Sequence, residues 1–135
     1  MSHYLDIKTC ITNEDALIKA LIRKGFKPEQ IEVHKEATNL YGYQGDKRQQ
    51  KANIIIRRKD VGSASNDLGF VKKEDGTYEA IVSKYDSRKY NEQWLNDVGT
   101  FHNVENAKEA FSRNGWDYTE TVDNEGRIQL VGTTY

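Results

Sequence analysis

Residues 68–86 read LGFVKKEDGTYEAIVSKYD, two β-prone runs on either side of Asp75-Gly76. Asp-Gly tolerates the positive backbone angles of a tight turn, and the β-branched and aromatic residues around it suit a pleated surface. The stretch predicts an antiparallel hairpin. That hairpin sets the expectation for the rest of the chain, a sheet whose neighbours run in opposite directions.

On the N-terminal side three more strands are expected: IEVHKE (31–36), ATNLYGYQG (37–45) and ANIIIRR (52–58). VGSASND (61–67) is a turn rich in Gly, Ser and Asn. Further back, YLDIKTCI (4–11) alternates apolar and polar, which puts Leu5, Ile7, Thr9 and Ile11 on one side of a half-buried strand. Thr12 or Asn13 then reads as a helix N-cap, with Glu14 and Asp15 suiting the positive end of the helix dipole. Leu17, Ala20, Leu21 and Lys24 follow at helical spacing, Ile18 and Ile22 widen the apolar face, and Gly25 sits where a left-handed residue ends a helix. On the C-terminal side Tyr90, Trp94, Leu95, Val98 and Phe101 predict a helix that Gly99 closes. A third helix is expected from Asn103 to Gly115, then a last hairpin of WDYTETV and RIQLVGT around Asn124-Glu125-Gly126.

The fold class is therefore α+β: one domain over 1–135, an antiparallel sheet with helices on one face. Asn13, Arg23, Gly25, Leu40 and Gly42 match Asn103, Arg113, Gly115, Leu130 and Gly132 at a constant offset of 90. Two readings stay open, a pseudo-duplicated helix–hairpin unit or two ordinary helix–hairpin segments.

The chain has 135 residues, enough for one core, and its 20 Lys and Arg against 21 Asp and Glu leave a net charge of −1. That balance argues against a protein that coats DNA. A single cysteine, Cys10, rules out an internal disulfide and is read as a buried, inert thiol in mid-strand. No signal peptide and no apolar run long enough to span a bilayer is read, so a soluble, cytoplasmic protein is expected.

Motifs for chemistry are missing from the sequence. His3, His34 and His102 lack metal-site spacing and are read as surface or strand-end residues, so no metal and no cofactor is expected. No nucleophile elbow or phosphate loop occurs, no catalytic residue is assigned, and an enzyme ranks third among the readings. Lys47, Arg48, Lys51, Arg57, Arg58 and Lys59 nevertheless form a cationic run without an acid inside it. With Tyr41 or Tyr43 as a stacking surface and Gln44 beside them, Lys47, Arg48, Lys51 and Arg57 could hold a nucleotide or nucleic acid. Solvated strand edges carry the same residue types. Within this region Gln44 to Lys51 is the candidate ligand loop. Tyr90 and Trp94 offer a possible partner surface, against the alternative of core packing. An exposed edge near 52–58 could pair with a second copy, making a homodimer.

Four stretches together carry a resemblance: MSHYLDIKT; LYGYQG with the Lys/Arg/Gln run and ANIIIRR; NDLGFVKKEDGTYEAIV; and NGWDYTETVDNEGRIQLV. In this order they resemble the family typified by "hypothetical chloroplast reading frame thirty-five", which has members in plastids, cyanobacteria, other bacteria and phages. The resemblance implies an accessory role without an assigned activity or catalytic residues. GTFHN (99–103) lacks the Tyr of the family's pattern there, and the end GTTY lacks its Arg-aromatic close. Those departures argue against a photosynthetic role and leave open a phage or a heterotroph origin, with a phage-encoded member acting in the host cytoplasm. The leading expectation is a small non-enzymatic protein that binds a protein partner; the alternative is the nucleotide or nucleic-acid binder.

Overall fold

The computed structural model describes residues 3–133. Its elements in chain order are β1 (Tyr4–Lys8), α1 (Glu14–Arg23), β2 (Ile31–Tyr41), β3 (Lys47–Ile56), a one-turn helix α2 (Arg58–Val61), β4 (Leu68–Lys72), β5 (Tyr78–Ser83), α3 (Glu92–Arg113), β6 (Asp117–Val122) and β7 (Ile128–Thr133). The first five strands form one antiparallel sheet in the order β1-β5-β4-β3-β2, and β6 and β7 form a separate two-stranded sheet.

The Asp75-Gly76 hairpin stands as expected. Phe70 faces Ala80 across β4 and β5, and Gly76 adopts φ 88°. Asp75 Oδ1 accepts from the amide and the hydroxyl of Thr77, which closes the turn. In α1 the Asn13 side chain accepts from the Ala16 amide at 3.1 Å, and Gly25 takes φ 111° beyond the last turn.

Three expectations need correction. The first concerns Gly99, which does not end a helix: α3 runs unbroken for 22 residues, capped by Asn91, whose side chain accepts from Trp94 N. A glycine weakens a helix by about 1 kcal/mol relative to alanine, but propagation on both sides outweighs that penalty. Asn103 therefore lies in mid-helix and caps nothing, which removes one anchor of the repeat. Gly25 and Gly115 do share a left-handed role at the two helix ends.

Second, IEVHKE and the ATNLY of the next run are one strand ending at Tyr41, GYQG is the turn, and residues 47–51 belong to β3 rather than to a loop. The register jumps between Val33↔Ile54 and Thr38↔Ala52, so four residues of β2 face one of β3. Asn53 fills that bulge: its Nδ2 donates to the His34 and Lys35 carbonyls, and its Oδ1 accepts from Lys72 N. The bulge also shifts which residues face which side. Ile54 and Ile56 enter the main core, whereas Ala52 and Ile55 enter a second one. Consequently 54–56 is flanked on both sides, by β2 and β4, and offers no free edge for a second copy.

Third, His102 is not a surface residue. It is 2 % exposed, and its Nε2 accepts from the Thr12 and Asn13 amides at 3.3 and 3.1 Å, tying α3 to the start of α1.

Both long helices pack on one face of the sheet. Leu17, Ala20, Leu21, Leu95 and Val98 meet Ile54, Ile56, Phe70, Tyr78, Ala80 and Val82 there. The opposite face is closed by the bent end of the β2–β3 hairpin, which lays Leu40 and Ala52 against Ile55, Ile81 and Tyr4. Gly69 permits that approach, since a Cβ there would stand 2.5 Å from Ala52 Cβ. Arg48, on the same hairpin, places its guanidinium 5.2 Å from the centre of the Tyr4 ring.

Candidate functional site

The residues of the expected Tyr/basic stripe fall into separate environments. Tyr41, at the end of β2, is 38 % exposed, and its amide donates to Asp67 Oδ2 at 2.7 Å. Arg57 lies 5.7 Å from the Tyr41 ring centre. Its charge is answered from two sides: Nε and Nη2 donate to Glu32 at 2.7 and 2.8 Å, and Nη1 donates to buried Asp67 at 2.8 Å. The bidentate bond that Arg57 donates to Glu32, and then the bond it donates to Asp67, hold its guanidinium protonated well above its ordinary range. Glu32 is correspondingly held below the usual carboxylate range by the Arg57 hydrogen bonds.

Arg58, Lys59 and Gly45 complete a shallow depression of about 480 Å³ with Tyr41, Arg57 and Asp67. Arg58 bends back, donating from Nη1 to the Tyr43 carbonyl at 2.9 Å. Tyr43 and Gln44 are exposed in the turn, where the Tyr43 amide donates to Asn66 Oδ1. Lys47 and Lys51 are exposed on β3, while Arg48 turns to the second core beside Tyr4. Of the seven stripe residues, then, Tyr41 and Arg57 share one hollow.

Tyr90 is no partner surface. It is 4 % exposed, its hydroxyl donates to the Val61 carbonyl, and Trp94 meets its ring edge-on at 4.8 Å. The amphipathic spacing that made this row a candidate is the spacing of a helix face buried against the sheet.

A larger concavity lies elsewhere, between β1 and α3. It encloses about 660 Å³, with Ile7, Ile11 and Leu95 forming an apolar floor. Lys8, Thr9 and Cys10 line one wall, and Glu92, Asn96, Gly99, Thr100 and Asn103 line the other. The two walls are joined at one end by His102, whose ring holds the amides of Thr12 and Asn13. Cys10 is exposed and lies beyond the end of β1, because Thr9 turns its hydroxyl onto the Tyr78 carbonyl and the regular ladder stops at Lys8. β1 is an outer strand of the sheet, with β5 as its neighbour on one side. Among the described residues it has no second neighbour in the sheet, and its last two residues, Ile7 and Lys8, line the groove. Gly99 adds room, since a Cβ placed on it would meet nothing within 4 Å.

A fourth cluster fastens the last hairpin. Glu120 of β6 receives Arg23 and Lys108, each at 2.7 Å, and both cations also reach Glu105. The Arg23 and then the Lys108 hydrogen bond hold the Glu120 carboxyl down at about 2. Phe111 stacks on Trp116 and Tyr118, and Gly132 lies flat against it, where a Cβ would come within 2.9 Å of the ring. Glu105 and Glu120 carry no motif, and only the topology unites them. The groove had one visible signal, a glycine inside an otherwise continuous helical pattern. Among the described residues no helix is long and apolar enough to cross a membrane.

The family model described as "Protein of unknown function (DUF1257)" matches residues 24–131. The chain is also similar to "Uncharacterized protein ycf35" of Cyanophora paradoxa, with 30% identity over 138 residues, covering 97% of this chain and 95% of that protein. No solved structure matches it. The family match runs from Lys24, just past α1, into β7, the relative is covered along nearly all of this chain, and the chain belongs to the DUF1257 family.

Proposed function

We propose that this protein is a non-enzymatic binding protein that takes a polypeptide partner into the groove between β1 and α3. One observation carries the reading: a concavity of about 660 Å³ has an apolar floor beside a strand that, among the described residues, has no second neighbour in the sheet. Such a site suits recognition, because apolar floor supplies affinity and the polar rim of Asn96, Thr100, Lys8 and Glu92 supplies direction. In the cell it serves as an accessory protein acting on a protein of the same cytoplasm.

The test is selection of peptides from a random displayed library on the intact protein. Binding by the selected peptides should fall at least tenfold when Cys10 carries N-phenylmaleimide, and again in Gly99→Leu. Peptides that bind both blocked forms as well as the native one would overturn the reading. The second reading, an anionic ligand in the hollow of Tyr41, Arg58 and Lys59, is supported by the two cations there that lack the carboxylate cage of Arg57. Saturable binding of ATP or an oligonucleotide, lost in Arg58→Glu with Lys59→Glu, would favour it instead.

A further inference from the structure

We infer that the partner enters this groove as an extended strand added to the free edge of β1, with a large apolar side chain seated over Gly99. The inference rests on the groove being the partner site and specifies what fits it.

The backbone of β1 sets the mode. His3 O accepts from Lys84 N at 2.7 Å, in the same ladder that pairs Leu5 with Val82 and Ile7 with Ala80. Alternation in an antiparallel ladder then turns the amides and carbonyls of Tyr4, Asp6 and Lys8 away from β5. A strand laid alongside would satisfy these groups. A helix would cover them without pairing them, at the cost of buried unsatisfied backbone.

Dimensions agree with the same occupant. β1 from Tyr4 to Lys8 spans about 14 Å of strand, and the row from Glu92 to Asn103 on α3 spans about 16 Å of helix. Both lengths correspond to about five residues of strand.

Side-chain chemistry follows from the pleat. The side of the added strand that faces α3 meets Ile7, Leu95 and the neighbouring Leu5, which is 40 % exposed. Its other side meets water. The fitting sequence is therefore alternating apolar and polar, and the position opposite Gly99 has room for the largest apolar residue. Alanine at 99 would strengthen the helix and touch nothing inside the chain. A glycine there serves something that arrives from outside.

The experiment uses the selected peptides on the full chain. N-methylation of every second peptide amide should weaken binding roughly five- to tenfold per site, since each lost hydrogen bond is worth about 1 kcal/mol. Methylation of the intervening amides should change little. Bound peptide should also slow hydrogen exchange at the amides of Asp6 and Lys8. If Cys10 alkylation and Gly99→Leu both abolish binding but the methylation pattern is not period two, the groove stands and strand addition is overturned. If neither block matters, the groove itself fails. Concentration-dependent dimerisation lost in Gly99→Leu would assign the edge to a second copy and overturn the partner-strand inference. Cys10 alkylation keeps the test decisive should Gly99→Leu fail to fold.

Discussion

Replacing Gly99 by alanine should make the protein more stable. Inside a helix, glycine is less favourable than alanine by about 0.8–1.0 kcal/mol, because the unfolded chain loses more freedom at glycine. That full difference is realised only if the new methyl meets no obstacle. The space around Gly99 is open to 4 Å, and the residue lies eight positions into a 22-residue helix, away from fraying ends. The expected gain is thus about 1 kcal/mol, a rise in melting temperature of roughly 4 °C for a domain of this size. Urea denaturation followed by circular dichroism at 222 nm should show a higher midpoint with an unchanged slope. Gly25→Ala is the matched control. Its Cβ also meets nothing, but φ is 111°, so the same substitution should destabilise, by about 1 kcal/mol or more. A Gly99→Ala variant no more stable than the parent would refute the reasoning. The glycine would then be needed by the fold, and its argument for an external visitor would be lost.

The remaining expectations concern the two polar clusters. Asp67→Ala removes a carboxylate, 1 % exposed, that accepts from Tyr41 N, Arg58 N and Arg57, and should cost about 3 kcal/mol; Glu32 keeps Arg57 partnered, which holds the loss to the low end for a broken buried pair. A loss under about 1 kcal/mol in chemical denaturation would contradict its role as the tie between β2, the start of α2 and the loop before β4. Glu120 has a folded pKa of about 2 against an ordinary 4.5, so its contribution is fully present above pH ~4.5 and disappears as pH falls towards 2. Because the cluster is partly solvated, that contribution is about 1 kcal/mol. Trp116 fluorescence in a Trp94→Phe background should report loosening of the last hairpin over that window, and Glu120→Gln should flatten the acid step.

The legible parts of the fold were those written in adjacent residues. Asp75-Gly76 announced its hairpin, Asn13 its cap and Gly25 its helix end, since each acts within four residues of itself. The bulge at Asn53 was hidden because it depends on pairing with β2 across a register jump. Beyond that jump Lys47–Lys51 continue β3, and Arg48 lies over the Tyr4 ring, contacts between residues far apart in sequence. Gly99 was misread for a physical reason: a glycine marks a helix end only where the left-handed conformation follows, and at 99 the helical one persists. His102 looked like a surface residue because its partners, the amides of Thr12 and Asn13, lie some 90 positions away. The cationic run was visible as charge. Its division was not, because Glu32 and Asp67 reach Arg57 only in the folded sheet.

The placement of β1 has a consequence for how the protein is made. Tyr4 pairs with Ser83, so the first strand must wait for about 80 more residues before its partner leaves the ribosome. At about 5–20 residues per second that wait is on the order of 4–16 s. Meanwhile α1 and the β2–β3 hairpin have all their local contacts available, and the N-terminal segment has both edges bare. Among the described strands β1 is thus the first to appear and among the last to find its place, and α3, which lies across the groove from it, follows later still. A nascent chain can offer its edge to any passing strand during those seconds, and it becomes selective only when the far wall has been synthesised.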